Sequence, residues 1–373
     1  MPRVLTITGF ADVHALAIER AIRLQGGEST IWNISDFPRH QRISSLVDDA
    51  GESHVNVLQR DHSVITGPFD VVWNRRALSK NLYSEGLHEG DMDFVRHETT
   101  LFLRSLYLSS FRDAFWLNAP LNKFQADAKL AQILAAKACG LYVPPTLVSN
   151  DPEQVLAFVE RYGWNVIVKS FHGHAWNVGG GPEEQLYVNY AARVKAEALT
   201  PEAIAACPAI YQRLVEKAFE LRIVLCGESL MAIKIDSQIR QDTAIDFRSG
   251  QGTLPLSEYA LPDDVQAKLI QFAKALGIVF GSIDAIITPN NEFVFLEVNE
   301  QGQFLWCELN NPDIPVTQFV TDFLMYGRAD FRWERPERPM RLAEIEDAEF
   351  KHNFSHLMSQ NEYAELNNKN GYG

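Results

Sequence analysis

Short apolar runs alternate with stretches of helical spacing along this chain. Residues 2–9 read as a strand, 13–24 carry apolar positions at helical spacing, Gly26 and Gly27 stop that pattern, and 29–34 form the next strand. Strand–helix–strand at this length predicts a parallel α/β unit. No G-x-G-x-x-G follows the first strand, so a dinucleotide fingerprint is absent. Residues 35–67 are polar and predict irregular structure; 70–74 is a short strand and 91–108 a helix. A second unit opens at Asn118. Its residues 127–139 are rich in Ala, Lys, Gln and Leu, which favour a helix, and Gly140 stops it. Asp151 and Pro152 mark another helix start, as cap and first position. Residues 165–169 predict a strand, 171–181 a Gly-rich loop, and 186–190 the returning strand. Further strands are expected at 209–215, 221–226 and 229–236, the last two joined by a two-residue turn at Gly227-Glu228. A loop is expected at 237–257, and helices at 262–276 and 316–326.

The most informative pattern is a hairpin. Apolar runs at 282–288 and 292–298 flank Pro289-Asn290-Asn291, which is turn chemistry. A four-residue loop at 289–292 pairs Thr288 with Phe293, and outward counting sets Asp284 opposite Glu297. Asn299 then shares the face of Glu297. Facing carboxylates repel unless a cation lies between them. All-oxygen donors without His or Cys suit Mg²⁺; the alternative is a solvated strand face whose carboxylates never meet.

Composition narrows the class. The chain has 373 residues, more than one simple core, so two or three domains are expected. The net charge of −14 disfavours a general nucleic-acid binder, although a local basic pocket fits within an acidic protein. No apolar stretch has membrane-span length and the N-terminus lacks a signal-peptide core. The expectation is therefore a cytoplasmic protein without a membrane. Cys139, Cys207, Cys226 and Cys307 are scattered without metal-ligand spacing, and most of them read as small buried apolar residues.

Several residues carry chemistry only in combination. Lys169 ends an apolar strand before the glycines of 171–181, where backbone N–H groups can approach phosphate; the alternative is a strand-end lysine beside a surface loop. No P-loop or nucleophile elbow occurs. Lys129, Arg222 and Arg240, taken singly, read as surface or ion-pair residues, and so do Arg75 and Arg76. His172 and His174 lack further metal ligands and read as loop histidines.

The order of the parts is more specific. A lysine ahead of "GLYVPPTLVSN", a second lysine on a strand, an acidic hinge segment, and a hairpin reading D-x(12)-E-x-N resemble the ATP-grasp superfamily of carboxylate–amine ligases. The resemblance covers residues 1–327. "FVFLEVNEQGQFLWCE" is its most specific segment and resembles the microviridin group of graspetide macrocyclases. "VLTITGFADVHA", "ISDFPRHQRIS", "VVWNRRAL", "NKFQADAKLAQILAAKACGLYVPPTLVSN" and "IDSQIRQDTAIDFR" look like further parts of that pattern.

This resemblance implies an α/β (α+β) ATP-grasp fold. Its expected units are an N-terminal domain at 1–117, a central subdomain at 118–205, a C-terminal subdomain at 206–330 and an extension at 331–373. ATP and Mg²⁺ are the implied cofactors. Lys129 and Lys169 would contact phosphates, and Gln212, Arg213, Leu214 and Val215 the adenine. Glu216 and Glu220 would reach the ribose. Asp284, Glu297 and Asn299 would hold Mg²⁺, and Arg222 and Arg240 would stabilise the γ-phosphate and the acyl phosphate. The 171–181 loop would be a lid that excludes water. The implied partner is a precursor peptide with a leader and an acidic core; a homodimer is left open. A ligase of free amino acids or a small metabolite, and a non-catalytic nucleotide binder, are the competing expectations.

Overall fold

The computed structural model describes residues 1–9, 12–75, 86–171, 175–178, 185–188, 190–250, 252–348 and 350–352, with backbone alone for 175–178 and 185–188. Strand β1 (Arg3–Thr8) is buried over most of its length, because it lies inside a sheet covered on both faces. The chain continues through α1 (Val13–Leu24) to β2 (Glu28–Asn33), parallel to β1. Asp12 caps α1 by accepting the His14 N–H at 3.1 Å.

The polar stretch at 35–67, expected to be irregular, instead folds as an antiparallel sheet of β3 (Arg42–Val47), β4 (Ser53–Leu58) and β5 (Val64–Thr66). Val55, Val57 and Ile65 are buried while their neighbours face solvent. The alternation was legible, but few apolar residues carried it. The chain then enters β6 (Val71–Asn74), α2 (Met92–Ser109) and β7 (Phe115–Leu117), completing a parallel sheet of order β2-β1-β6-β7.

The helix expected at 127–139 is α4 (Lys129–Ala138); a further helix, α3 (Pro120–Asp127), precedes it, and the extended Ala128 separates the two. Lys129 thereby becomes the first residue of α4. Gln132, 1 % exposed, donates to Ala126 O and Val298 O and accepts the Val298 N–H, which fixes α4 against the carboxylate hairpin. Next come β8 (Thr146–Ser149), α5 (Pro152–Arg161), β9 (Val166–Lys169), the paired β10 (Ala175–Val178) and β11 (Gln185–Val188), β12 (Ala192–Arg193), α6 (Pro201–Ala206) and β13 (Ala209–Arg213). Asp151 caps α5 with Pro152 at the first position, as expected. The central sheet has order β12-β9-β13-β8. Strand pairing thus carries the central unit past 205 to Arg213, while α4 packs on the C-terminal sheet; neither division follows the expected limits.

The C-terminal sheet contains β14 (Phe219–Cys226), β15 (Ser229–Ile235), β16 (Leu256–Tyr259), β17 (Phe280–Ile287) and β18 (Phe293–Asn299), in the order β16-β15-β14-β17-β18, with α7 (Asp263–Leu276) between β16 and β17. Strand β16 takes the end of the segment expected to be loop at 237–257. One face, with Leu221, Ile223, Leu225, Ile283 and Phe295, packs on α7. At one end of the other face, Val224, Cys226 and Phe280 meet α8 (Leu305–Asn310), α9 (Val316–Tyr326) and the tail. Phe331, Leu342 and Ile345 of α10 (Leu342–Ile345), and Phe350, are all buried there. Each contributes about 1.5–3 kcal/mol on burial, so the described part of the extension is docked on the body.

Candidate active site

The hairpin register agrees with expectation at the carboxylates and differs at the turn. Ile287, not Thr288, pairs with Phe293, and Asn291 takes a left-handed φ of 63°. The register at the turn is thus shifted by one residue from the counted one. A β-bulge between Asp284 and Ala285, with Leu296 the extra residue on β18, restores the pairing of Asp284 with Glu297. Arg222 pairs with Asp284 on the other side. Arg222, Asp284 and Glu297 therefore form one row across three strands, with Ser282 and Asn299 paired in the next row on the same face.

Each carboxylate of the row has a protein cation. Arg222 Nη1 donates to both Asp284 oxygens at 2.8 and 2.9 Å, and Lys129 Nζ lies 3.0 Å from Glu297 Oε2. Burial pushes the Asp284 carboxyl up, against the pull of Arg222. Burial acts the same way on Glu297, but Lys129 and Lys169 outweigh it and hold that carboxyl below its usual range. Lys169 reaches the site from the central sheet, where its Nζ donates to Gln212 Oε1 at 2.9 Å. Burial lowers its pKa, opposed by Glu297 and Asp246.

Arg248 and Asp246 complete the cluster. Their guanidinium–carboxylate pair is bidentate, at 2.8 and 2.5 Å. Arg248 also feels the fields of Glu297 and Asp284, and its pKa is raised, chiefly by Asp246. Asp246 Oδ2 accepts the Ala191 N–H at 3.0 Å, joining this loop to the central sheet. Four cations thus interact with three carboxylates around the strand row, leaving a surplus that favours a polyanion.

Arg222 donates to both Asp284 oxygens and to Gln303 O. Arg240 pairs with Asp242 and Thr253 within its own loop. Glu220, 5 % exposed, faces Lys217 Nζ at 2.7 Å. Arg213, Leu214, Val215 and Glu216 line a cavity of ≈ 580 Å³ together with Tyr142, Thr288 and Asn290. Gln212 is not on that lining; it bridges Lys169 and Thr146. His172, His174, Arg76 and the glycines of the expected lid lie outside the described residues.

The donor set fits Mg²⁺: two carboxylates and an amide oxygen share one face on neighbouring strands, with no nitrogen or sulfur ligand among the described residues of the row. Another place among the described residues where ligand atoms converge, Asp48, Glu52 and His54, is different in kind. There Asp48 accepts the N–H groups of Ala50 and Glu52 and bonds the His54 ring, which accounts for its carboxylate as the cap of an exposed turn.

No family model and no curated protein matches the chain. Solved structures do. A RiPP-associated ATP-grasp ligase from Chryseobacterium gregarium, solved with ADP and a leader and core peptide, is 25% identical with a TM-score of 0.76, over 87% of this chain and 97% of that one. The macrocyclase MdnC of Microcystis aeruginosa, bound to precursor peptide MdnA, is 26% identical with a TM-score of 0.75, over 87% and 100%. The macrocyclase MdnB of the same organism is 27% identical with a TM-score of 0.71, over 88% and 100%. The chain is an ATP-grasp ligase. The expected α/β (α+β) ATP-grasp fold is the observed one.

Within this ATP-grasp ligase, Asp246 and Arg248 are the site residues that sequence reasoning did not single out. Their signal is an i,i+2 acid–base pair in the segment "AIDFR". Its meaning depends on a loop path that no local pattern encodes.

Proposed function

We propose that this ATP-grasp ligase activates Asp or Glu side chains of a ribosomally made precursor peptide as acyl phosphates and closes them to intramolecular esters or amides. The observation that carries the reading is the row of Arg222, Asp284 and Glu297 with Lys129 and Lys169 gathered on it, in a chain that matches a peptide-bound ATP-grasp ligase and a peptide-bound macrocyclase over most of its length.

Lys129, Lys169 and Arg248 would bind and orient the ATP phosphates, drawn from their present carboxylate partners by the greater charge of the polyanion. Asp284, Glu297 and Asn299 would hold Mg²⁺, which supplies charge neutralisation at phosphate oxygens when bound. A peptide carboxylate oxygen attacks the γ-phosphorus and the bond to the β-phosphate oxygen breaks, releasing ADP. A Ser or Thr hydroxyl, or a Lys amine, then attacks the acyl carbon. The carbon–oxygen bond to phosphate breaks, and inorganic phosphate leaves with the nucleophile's proton. The leader would recruit the peptide, and the acidic core would meet the surplus positive charge around the row.

The test is incubation of the full chain with ATP, Mg²⁺ and a candidate acidic precursor peptide, followed by mass spectrometry. The reading predicts loss of one or more waters from the peptide. Asp284→Ala and Glu297→Ala should each abolish that loss. Unchanged peptide alongside ligated free amino acids would refute the macrocyclase reading, and wild-type turnover by either variant would refute the metal assignment.

A further inference from the structure

We propose that Asp12, His14 and Arg75 of the N-terminal unit form a clamp that positions the segment after the metal-binding strand and, through it, the side chain of Asn299. The proposal rests on the reading of Asn299 as a metal ligand.

Arg75 follows β6 and is fully buried. A buried guanidinium is retained only when paired and hydrogen-bonded. Its Nε donates to Asp12 Oδ2 at 2.6 Å, and its Nη1 donates to Gln301 O at 2.9 Å and Gly302 O at 2.8 Å. Thr8 Oγ1 donates to the same Asp12 oxygen at 2.7 Å. The next carbonyl, Gln303 O, accepts from Arg222 Nη2 at 2.9 Å. Three consecutive carbonyls after the hairpin are thus held by two arginines, one from the N-terminal unit and one from the metal-site row.

The held segment reaches the metal ligand directly. The Gln301 N–H donates to Asn299 Oδ1 at 3.1 Å, so the residue whose carbonyl Arg75 holds also orients the Asn299 amide. His14 fixes the far end. Its Nε2 accepts the N–H groups of Phe304 and Leu305 at 3.2 and 3.4 Å, and its ring stands edge-on to Phe304 at 4.9 Å. Asn118 Nδ2 donates to Glu300 O at 3.1 Å and anchors the near end. Between these anchors Gly302 has φ +56°, and a Cβ there would meet the Phe280 ring at 2.8 Å. The segment therefore has one conformation that satisfies both units. Hydrogen-bond partners of metal ligands commonly set metal affinity about 10–100-fold.

The test uses the full chain with Mn²⁺ as the metal probe, its binding followed by electron paramagnetic resonance with ADP present. ADP binding without metal is measured by calorimetry, and folding by circular dichroism. Arg75→Lys keeps the charge for Asp12 but lacks the fork that reaches Asp12 through Nε and both carbonyls through Nη1 at once. The double variant Asp12→Asn with Arg75→Gln removes both charges together, so no buried charge is stranded. Both should weaken Mn²⁺ binding about 10–100-fold, with metal-free ADP affinity kept within a factor of about three. Where Arg75→Lys does not fold, the double variant decides. Wild-type Mn²⁺ affinity in the folded variants, while Asn299→Ala loosens the metal, overturns the clamp alone. Equal weakening of Mn²⁺ and metal-free ADP also overturns it, because that marks a merely architectural role. Wild-type Mn²⁺ affinity in Asn299→Ala refutes the metal reading and the clamp with it.

Discussion

Glu220 separates two physical roles, and Glu220→Gln distinguishes them. The resemblance implies a ribose contact, whereas in the structure its Oε1 lies 2.7 Å from Lys217 Nζ, with both side chains nearly covered. At that distance an effective dielectric of about 20 gives a gross attraction of about 6 kcal/mol. Removing one partner of a buried pair typically costs about 3–5 kcal/mol, because the remaining charge stays desolvated. Lys217 retains Ile245 O at 2.9 Å and gains the amide oxygen of the new side chain as a neutral acceptor, which favours the lower end of that range. Burial pushes the Glu220 carboxyl up despite Lys217, so the pair sits in a costly environment. Hydrogen exchange of β14 amides is the local assay. Glu220→Gln should accelerate it by about two to three orders of magnitude while ADP affinity holds. Lys217→Met with Glu220→Leu should recover most of the loss. Wild-type exchange in the single variant together with a tenfold or greater drop in ADP affinity would refute the structural role and restore the ribose contact.

Other perturbations test neighbouring elements. Arg248→Ala should lower ATP-dependent turnover about 10²–10³-fold if its charge stabilises the transferring phosphoryl group, read as ADP release; an unchanged rate removes Arg248 from the site. Gly302→Ala forces a side chain into a left-handed position against Phe280 and should cost about 1–3 kcal/mol, read as a lowered melting temperature. Glu308, 2 % exposed, accepts the N–H groups of Thr317 and Leu342 at 2.9 and 2.7 Å, so Glu308→Gln should cost about 1–3 kcal/mol and speed proteolysis of the extension. Burial raises the Glu308 pKa. The folded form then holds its proton more tightly than the unfolded chain, and wild-type stability falls as pH rises from the unfolded glutamate range to the folded value. The advantage of wild type over Glu308→Gln should therefore be larger at about pH 4 than at about pH 7; a constant difference would refute the linkage.

Local chemistry made much of this fold legible. Paired apolar runs and turn residues located the hairpin, Asp151 and Pro152 located the start of α5, and Gly227-Glu228 located the turn between β14 and β15. Each is a short-range preference of backbone and side chain, and tertiary packing did not override it. The β3–β5 sheet was missed because its polar strands bury only a few residues, so its signal appears only once the core is present. The Asp284–Glu297 pairing follows from a turn register that is off by one residue, which the bulge at Leu296 offsets.

What the sequence by itself determined is the donor inventory and its order: two lysines, an acidic hinge, and D-x(12)-E-x-N. What only the tertiary structure decided is which charges meet. Arg222 meets Asp284, Lys217 takes Glu220, and Arg248 joins the row from a loop. Arg75 meets Gln301, 226 positions later in the chain. Desolvation and Coulomb attraction act over a few ångströms of space and carry no fixed sequence spacing, so such partners emerge only when separate units are packed together.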